Sequence, residues 1–178
     1  MKKISILLGM AMVVGLVSLS FAATSDTINL LVTPITNVSV NIVQTEYNYM
    51  SVALGNGTTV NTSAITVEND GDCQATWQHK ATDATYNTST WDLVYAGTAA
   101  STDEFRLWAD ISASQPGSFA DDAAHRVATY NTNLSNGGNI PSLDQRNLWI
   151  KLEMPWSVTG VDGNEEHTCT YTVTATAD

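Results

Sequence analysis

The chain has 178 residues, 43% hydrophobic and only 14% charged, with 18 acidic against 7 basic side chains and a formal net charge of -11. That length suits one domain. So acidic a surface excludes the electrostatic attraction that nucleic acid or an anionic lipid face requires, and most of the polar surface must come from Thr, Ser and Asn.

The first 22 residues read as a secretory signal peptide. Lys2 and Lys3 give a positive start, residues 4–17 are almost unbroken apolar, and Ser20-Phe21-Ala22 puts small residues on either side of a cleavage-site phenylalanine. The apolar run is too short for a membrane span. The expectation is an exported protein, secreted or at the cell surface, with residues 23–178 as one domain and no membrane span or visible anchor. Loss of Lys2 and Lys3 moves the formal charge of that domain to about -13.

Period-two alternation then runs along the chain. Ile28, Leu30 and Val32 alternate before Pro34; Val38, Val40 and Ile42 follow. Residues 47–54 are strand-like and end in Gly55-Asn56-Gly57. Ile65 and Val67 lead into the turn signal Asn69-Asp70-Gly71. Cys73, Ala75, Trp77 and His79 share one face of the next strand; Trp91, Leu93 and Tyr95 repeat the pattern. Phe105, Leu107, Ala109 and Ile111 oppose Arg106, Trp108 and Asp110. Residues 115–139 read as a long connection with a helical turn near 121–127. Leu148, Ile150, Leu152 and Met154 form another apolar face, and His167, Cys169, Tyr171, Val173 and Ala175 a last one, against a ladder of threonines. Half-wet strands joined by turns predict an all-β fold, an antiparallel two-sheet β-sandwich, immunoglobulin-like or jelly-roll-like, with one long loop.

Residue chemistry points away from catalysis. No nucleophile elbow, zinc-protease helix or phosphate loop is present, and the expectation is a non-enzyme without cofactor or metal. The acidic turns lack the ordered spacing of a calcium loop. Cys73 and Cys169, both on apolar faces of an exported chain, are expected to form an intramolecular disulfide. Trp77 and Trp91 fall on buried faces. Trp108 and Trp149 fall on the opposite ones and Trp156 follows Pro155 in a loop. These last three are candidates for stacking on a glycan or a second subunit, or for cover by the loop at 115–139.

The run Tyr47-Asn48-Tyr49-Met50-Ser51-Val52-Ala53-Leu54-Gly55, with Ser63-Ala64-Ile65-Thr66-Val67-Glu68-Asn69-Asp70-Gly71 after it, resembles a pattern of exported bacterial immunoglobulin-like sandwiches. The layout is also similar to secreted TasA-type biofilm fibre subunits: a signal peptide, one acidic Thr- and Asn-rich sandwich, no anchor. That resemblance implies polymerisation by an N-terminal strand lent to a neighbour. Residues 23–32, with Ile28, Leu30 and Val32, read either as that donor strand or as an edge strand of their own domain. The leading functional expectation is an extracellular fibre, pilus-like or surface-layer subunit that associates with itself or with other surface proteins. The other is a secreted carbohydrate-binding module.

Overall fold

In the computed structural model, residues 36–97, 99–160 and 165–178 are described. The signal segment and the strand carrying Ile28, Leu30 and Val32 lie outside the described residues.

Ten strands form, and no helix occurs among the described residues. They are β1 (Asn41–Ile42), β2 (Thr58–Val60), β3 (Ile65–Glu68), β4 (Ala75–Ala81), β5 (Ala84–Tyr86), β6 (Ser89–Leu93), β7 (Glu104–Ile111), β8 (Thr132–Asn133), β9 (Gln145–Glu153) and β10 (Tyr171–Ala177). The larger sheet has the order β1-β3-β9-β7-β6-β5, and β2 lies end to end with β3 along the same edge of β9. The smaller sheet has the order β10-β4-β8. The fold is thus all-β, a mixed larger sheet and a second small one. Ile35–Asp178 forms one compact unit.

One pairing departs from the antiparallel expectation. β6 and β7 run parallel, with Asp92 opposite Glu104 and Leu93 opposite Phe105. The connection at 94–103 is too long for a tight hairpin and carries the chain back to start β7 in the same direction.

The alternation in β4 works as the sequence implies: Ala75, Trp77, His79 and Ala81 are buried. In β7 it does not. Phe105, Leu107, Ala109 and Ile111 are buried, but so are Arg106, Trp108 and Asp110. The long connection is the cause. Val127 N–H donates to Leu107 O and Ala109 N–H to His125 O, so residues 125–127 take over the edge of β7 where β6 leaves it. The chain then crosses to the other sheet, where Ala81 N–H donates to Ala128 O and β8 pairs with β4. This connection closes one side of the molecule. Its expected helical turn is one α-turn, in which Arg126 N–H donates to Asp122 O.

The expected strand at 47–54 is absent. Met50 adopts a left-handed φ of 60° and its N–H donates to the Asn48 side chain, a local turn that no ladder accommodates. Two buried asparagines stand in for missing backbone pairing. Asn61 donates to Ser63 O and Leu148 O and accepts from Ile150 N–H. Asn69 donates to Cys73 O, Ile140 O and Pro141 O. Gly71 next to it is required: a Cβ there would meet Asn37 O at 2.5 Å.

Candidate functional site

The side of the molecule opposite the long connection is open. β10 pairs with β4 on one edge and with no strand on the other among the described residues. Across from it runs the irregular segment 44–50. Between them lies a cleft of about 450 Å³ that reaches the core. Its floor is made by Ile65, Phe105, Leu107, Leu148 and Ile150, which the alternation of β3, β7 and β9 turns inward. Its walls are aromatic. Tyr47 and Tyr49 meet edge to face at 4.9 Å, and Tyr49 donates its hydroxyl to Ile150 O at 3.0 Å. Opposite them stand Tyr171, Cys169 and His167, the last stacked on Trp91 at 3.7 Å.

The cleft walls carry no ionised group at neutral pH from these tyrosines or this thiol. Burial pushes the phenols of Tyr49 and Tyr171 and the thiol of Cys169 upward, so all three keep their protons. Beneath Tyr171, the His79 ring sits fully buried, with Nδ1 at 2.8 Å from the Tyr171 hydroxyl and Nε2 without a hydrogen-bond partner. Burial drives its pKa down to about 4, so it is neutral above mild acid. An apolar floor between protonated tyrosines suits an aliphatic occupant, and Glu46, Glu165 and Glu166 lie among its lining residues. The volume lies in the range of functional clefts, roughly 300–1,000 Å³.

The structure corrects the disulfide. Cys73 and Cys169 are both free thiols. The antiparallel register sets Ala75 against Ala177 and Ala81 against Tyr171, so the two cysteines flank opposite ends of the β4–β10 ladder. Seven residues at about 3.3 Å each separate them by more than ~20 Å, whereas a disulfide needs Cα atoms within roughly 7 Å. Cys169 packs against the core as its face implies, whereas Cys73 lies before β4 and is only half-buried. Cys73 lies beside the start of the described chain, its Sγ 3.7 Å from Asn37 O.

The tryptophans divide differently than their strand faces suggest. Trp108 is only 3% exposed and Trp149 only 7%. Trp108 donates to Asp121 in the long connection, and Trp149 to Ser112 O just after β7. Both are interior, which corrects their candidacy as exposed stacking residues; cover by the connection at 115–139, the other expectation, holds for Trp108 through Asp121. Trp156 is 62% exposed, in its loop. Neither Trp108 nor Trp149 lines the cleft, and a platform of exposed tryptophans is not assembled. Trp77 and Trp91 are buried as their faces imply.

Sequence reasoning missed two features. The tyrosines at 47 and 49 carry a readable signal, aromatic residues two apart, but nothing in the sequence says they border an opening. The second is the approach of Ser135 to His125 across the long connection; Asp122 beside His125 is legible as a neighbouring pair and reads as surface chemistry. His125 Nδ1 lies 2.7 Å from Asp122 Oδ1, and its Nε2 lies 3.0 Å from Ser135 Oγ. Among the described residues, no group of three His, Cys, Asp or Glu converges to hold a metal ion.

No family model matches the chain, and no curated protein and no solved structure is significantly similar to it.

Proposed function

We propose that this chain is the subunit of an extracytoplasmic assembly, a structural protein whose β-sandwich is open along one side to receive an extended strand from a second copy. The observation that carries this reading is the apolar cleft beside the unpaired edge of β10. An open edge next to exposed core supplies both parts of strand addition: backbone groups that lack a ladder, and pockets for alternate side chains.

The occupant is residues 23–32 of another copy. Ile28, Leu30 and Val32 present one apolar face at the spacing a strand requires. The described chain starts beside Asp72 and Cys73, where Asn37 N–H donates to Asp72. The cleft wall at Cys169 and Tyr171 belongs to the other end of the β4–β10 ladder. Donor and acceptor positions at opposite ends make a head-to-tail contact, which propagates into a filament rather than closing a dimer. A glycan-binding reading has less support, because Trp108 and Trp149 are enclosed and Trp156 alone is exposed.

Deleting residues 23–32 from the secreted form tests the proposal. The expected product is a folded monomer that forms no filaments by electron microscopy and that binds a peptide of the deleted sequence. A truncated protein that unfolds, or that still assembles as before, overturns it.

A further inference from the structure

The long connection brings together three side chains that the sequence keeps ten or more residues from β7's end. His125 Nδ1 is 2.7 Å from Asp122 Oδ1, and Ser135 Oγ is 3.0 Å from His125 Nε2. The order of atoms is serine oxygen, distal imidazole nitrogen, proximal nitrogen, carboxylate. That order fixes the protons. An ionised carboxylate only accepts, so Nδ1 carries the hydrogen. In the neutral ring Nε2 is then the acceptor, and the Ser135 hydroxyl donates to it.

The three groups are held firmly. Asp122 Oδ1 also accepts the N–H groups of Ala124 and His125, which sets the carboxylate over its own turn. His125 O accepts from Ala109 N–H of β7 at 2.7 Å, and Ser135 is bonded at both backbone ends, from its N–H to Ala124 O and from its O to Ile111 N–H. A second carboxylate, Asp110, approaches His125 Nε2 only to 3.9 Å, and the Asn136 side chain donates to it at 2.9 Å. Nε2 is thereby left to the serine. Ser135 and Asn136 form a turn closed by Gly137 N–H to Leu134 O, with Asn136 at a left-handed φ of 57°. The Asn136 backbone N–H, next after the serine, has no partner among the described residues. In serine hydrolases the amide following the nucleophile serves the oxyanion.

We infer that Ser135 is an acyl-accepting nucleophile with His125 as its base, acting on a small ester with a short acyl group, since Ser135 is only 8% exposed. Ser135 Oγ attacks the ester carbonyl carbon while its proton passes to His125 Nε2. The carbonyl electron pair moves onto oxygen, beside the Asn136 N–H. Collapse breaks the bond to the alcohol oxygen, which leaves with the proton from Nε2, and the serine holds the acyl group. Water attacks that ester by the same proton route, releasing the carboxylic acid and restoring Ser135. Asp122 is a positioning residue that holds the tautomer. This activity is independent of strand assembly, since none of Asp122, His125 and Ser135 lines the cleft.

The test is covalent labelling of the purified full chain with a fluorophosphonate probe, followed by peptide mass spectrometry, with hydrolysis of p-nitrophenyl acetate in parallel. The expected result is one adduct, on Ser135, none in Ser135→Ala, and labelling at least ~100-fold slower in His125→Gln. Asp122→Asn lowers the rate and Asp122→Glu restores part of it. Wild-type protein with a native circular dichroism spectrum and no adduct on Ser135 overturns the inference. So does labelling of Ser135 at the wild-type rate in folded His125→Gln.

Discussion

Trp108 shows how a residue can sit on the polar face of a strand and still belong to the interior. Its indole N–H is taken by Asp121, and the Arg106 guanidinium and Lys151 ammonium each lie 4.4 Å from its ring centre. A ring between two cations is held by its π faces as well as by burial. Trp108→Ala is therefore expected to destabilise the protein by about 3–5 kcal/mol, whereas Trp156→Ala changes stability by less than about 0.5 kcal/mol; urea melts of the two variants check both. His79 governs the acid side of the stability curve. Its folded pKa of about 4 lies below the ordinary 6.5, mainly because burial penalises the charged ring. The unfolded chain binds the proton first as pH falls, so this contribution is complete above 6.5 and is lost between 6.5 and 4, by about 3 kcal/mol in all. Stability measured against pH should show that limb, and His79→Gln should flatten it.

At the scale of elements, the strands with strong alternation were legible and the coverings were not. The faces of β4, β7 and β9 follow directly from side chains at i, i+2 and i+4. What lies over the second faces of β7 and β9 comes from residues 112–139, whose anchors are polar contacts with no period to read. Asp121 is the clearest case: one carboxylate accepts from Arg106, Trp108 and Arg126. The hydrogen bond from Arg126 is the main reason its carboxyl lies well below the usual range, so the clamp stays charged in mild acid. Asp121→Asn removes that charge from a partly exposed position, and the expected consequence is local. Amide exchange at 121–127 should quicken about tenfold while β9 keeps its protection, as hydrogen-exchange mass spectrometry can show. Likewise, Asn69-Asp70-Gly71 was readable as a turn. That Asn69 reaches three carbonyls across the sheet was not, because those carbonyls belong to residues 73, 140 and 141. Asn69→Ala should cost about 2–3 kcal/mol by leaving buried carbonyls unpaired.

For the molecule as a whole, closure on one side and opening on the other was beyond sequence reasoning, because it depends on which sheet edges meet. The disulfide expectation failed for the same reason: alternation does not say which ends of two strands meet, and the register puts Cys73 and Cys169 at opposite ends of the ladder. The proposed assembly has an electrostatic consequence. Copies of formal net charge -11 repel at distances beyond contact, so filament growth by light scattering should be faster at 150 mM than at 10 mM salt, as the Debye length falls from about 30 to 8 Å. Salt-independent growth, or growth slowed by salt, would count against association through an apolar strand.

The β4–β10 ladder also sets how the molecule bears tension. Asp178 N–H donates to Gln74 O and its side chain accepts from Thr76, so the final residue lies at the same pole as Asn37 and Asp72. In the proposed filament, a subunit gripped there by its own leading segment, and at the far pole by a strand lodged against β10, would be loaded along the strands. All seven residue pairs of the ladder then share the force at once. The same ladder pulled from Asp178 outward would open one pair at a time, like a zip. The filament should accordingly be stiff along its axis, yet any single subunit should peel easily when drawn from its C-terminal end.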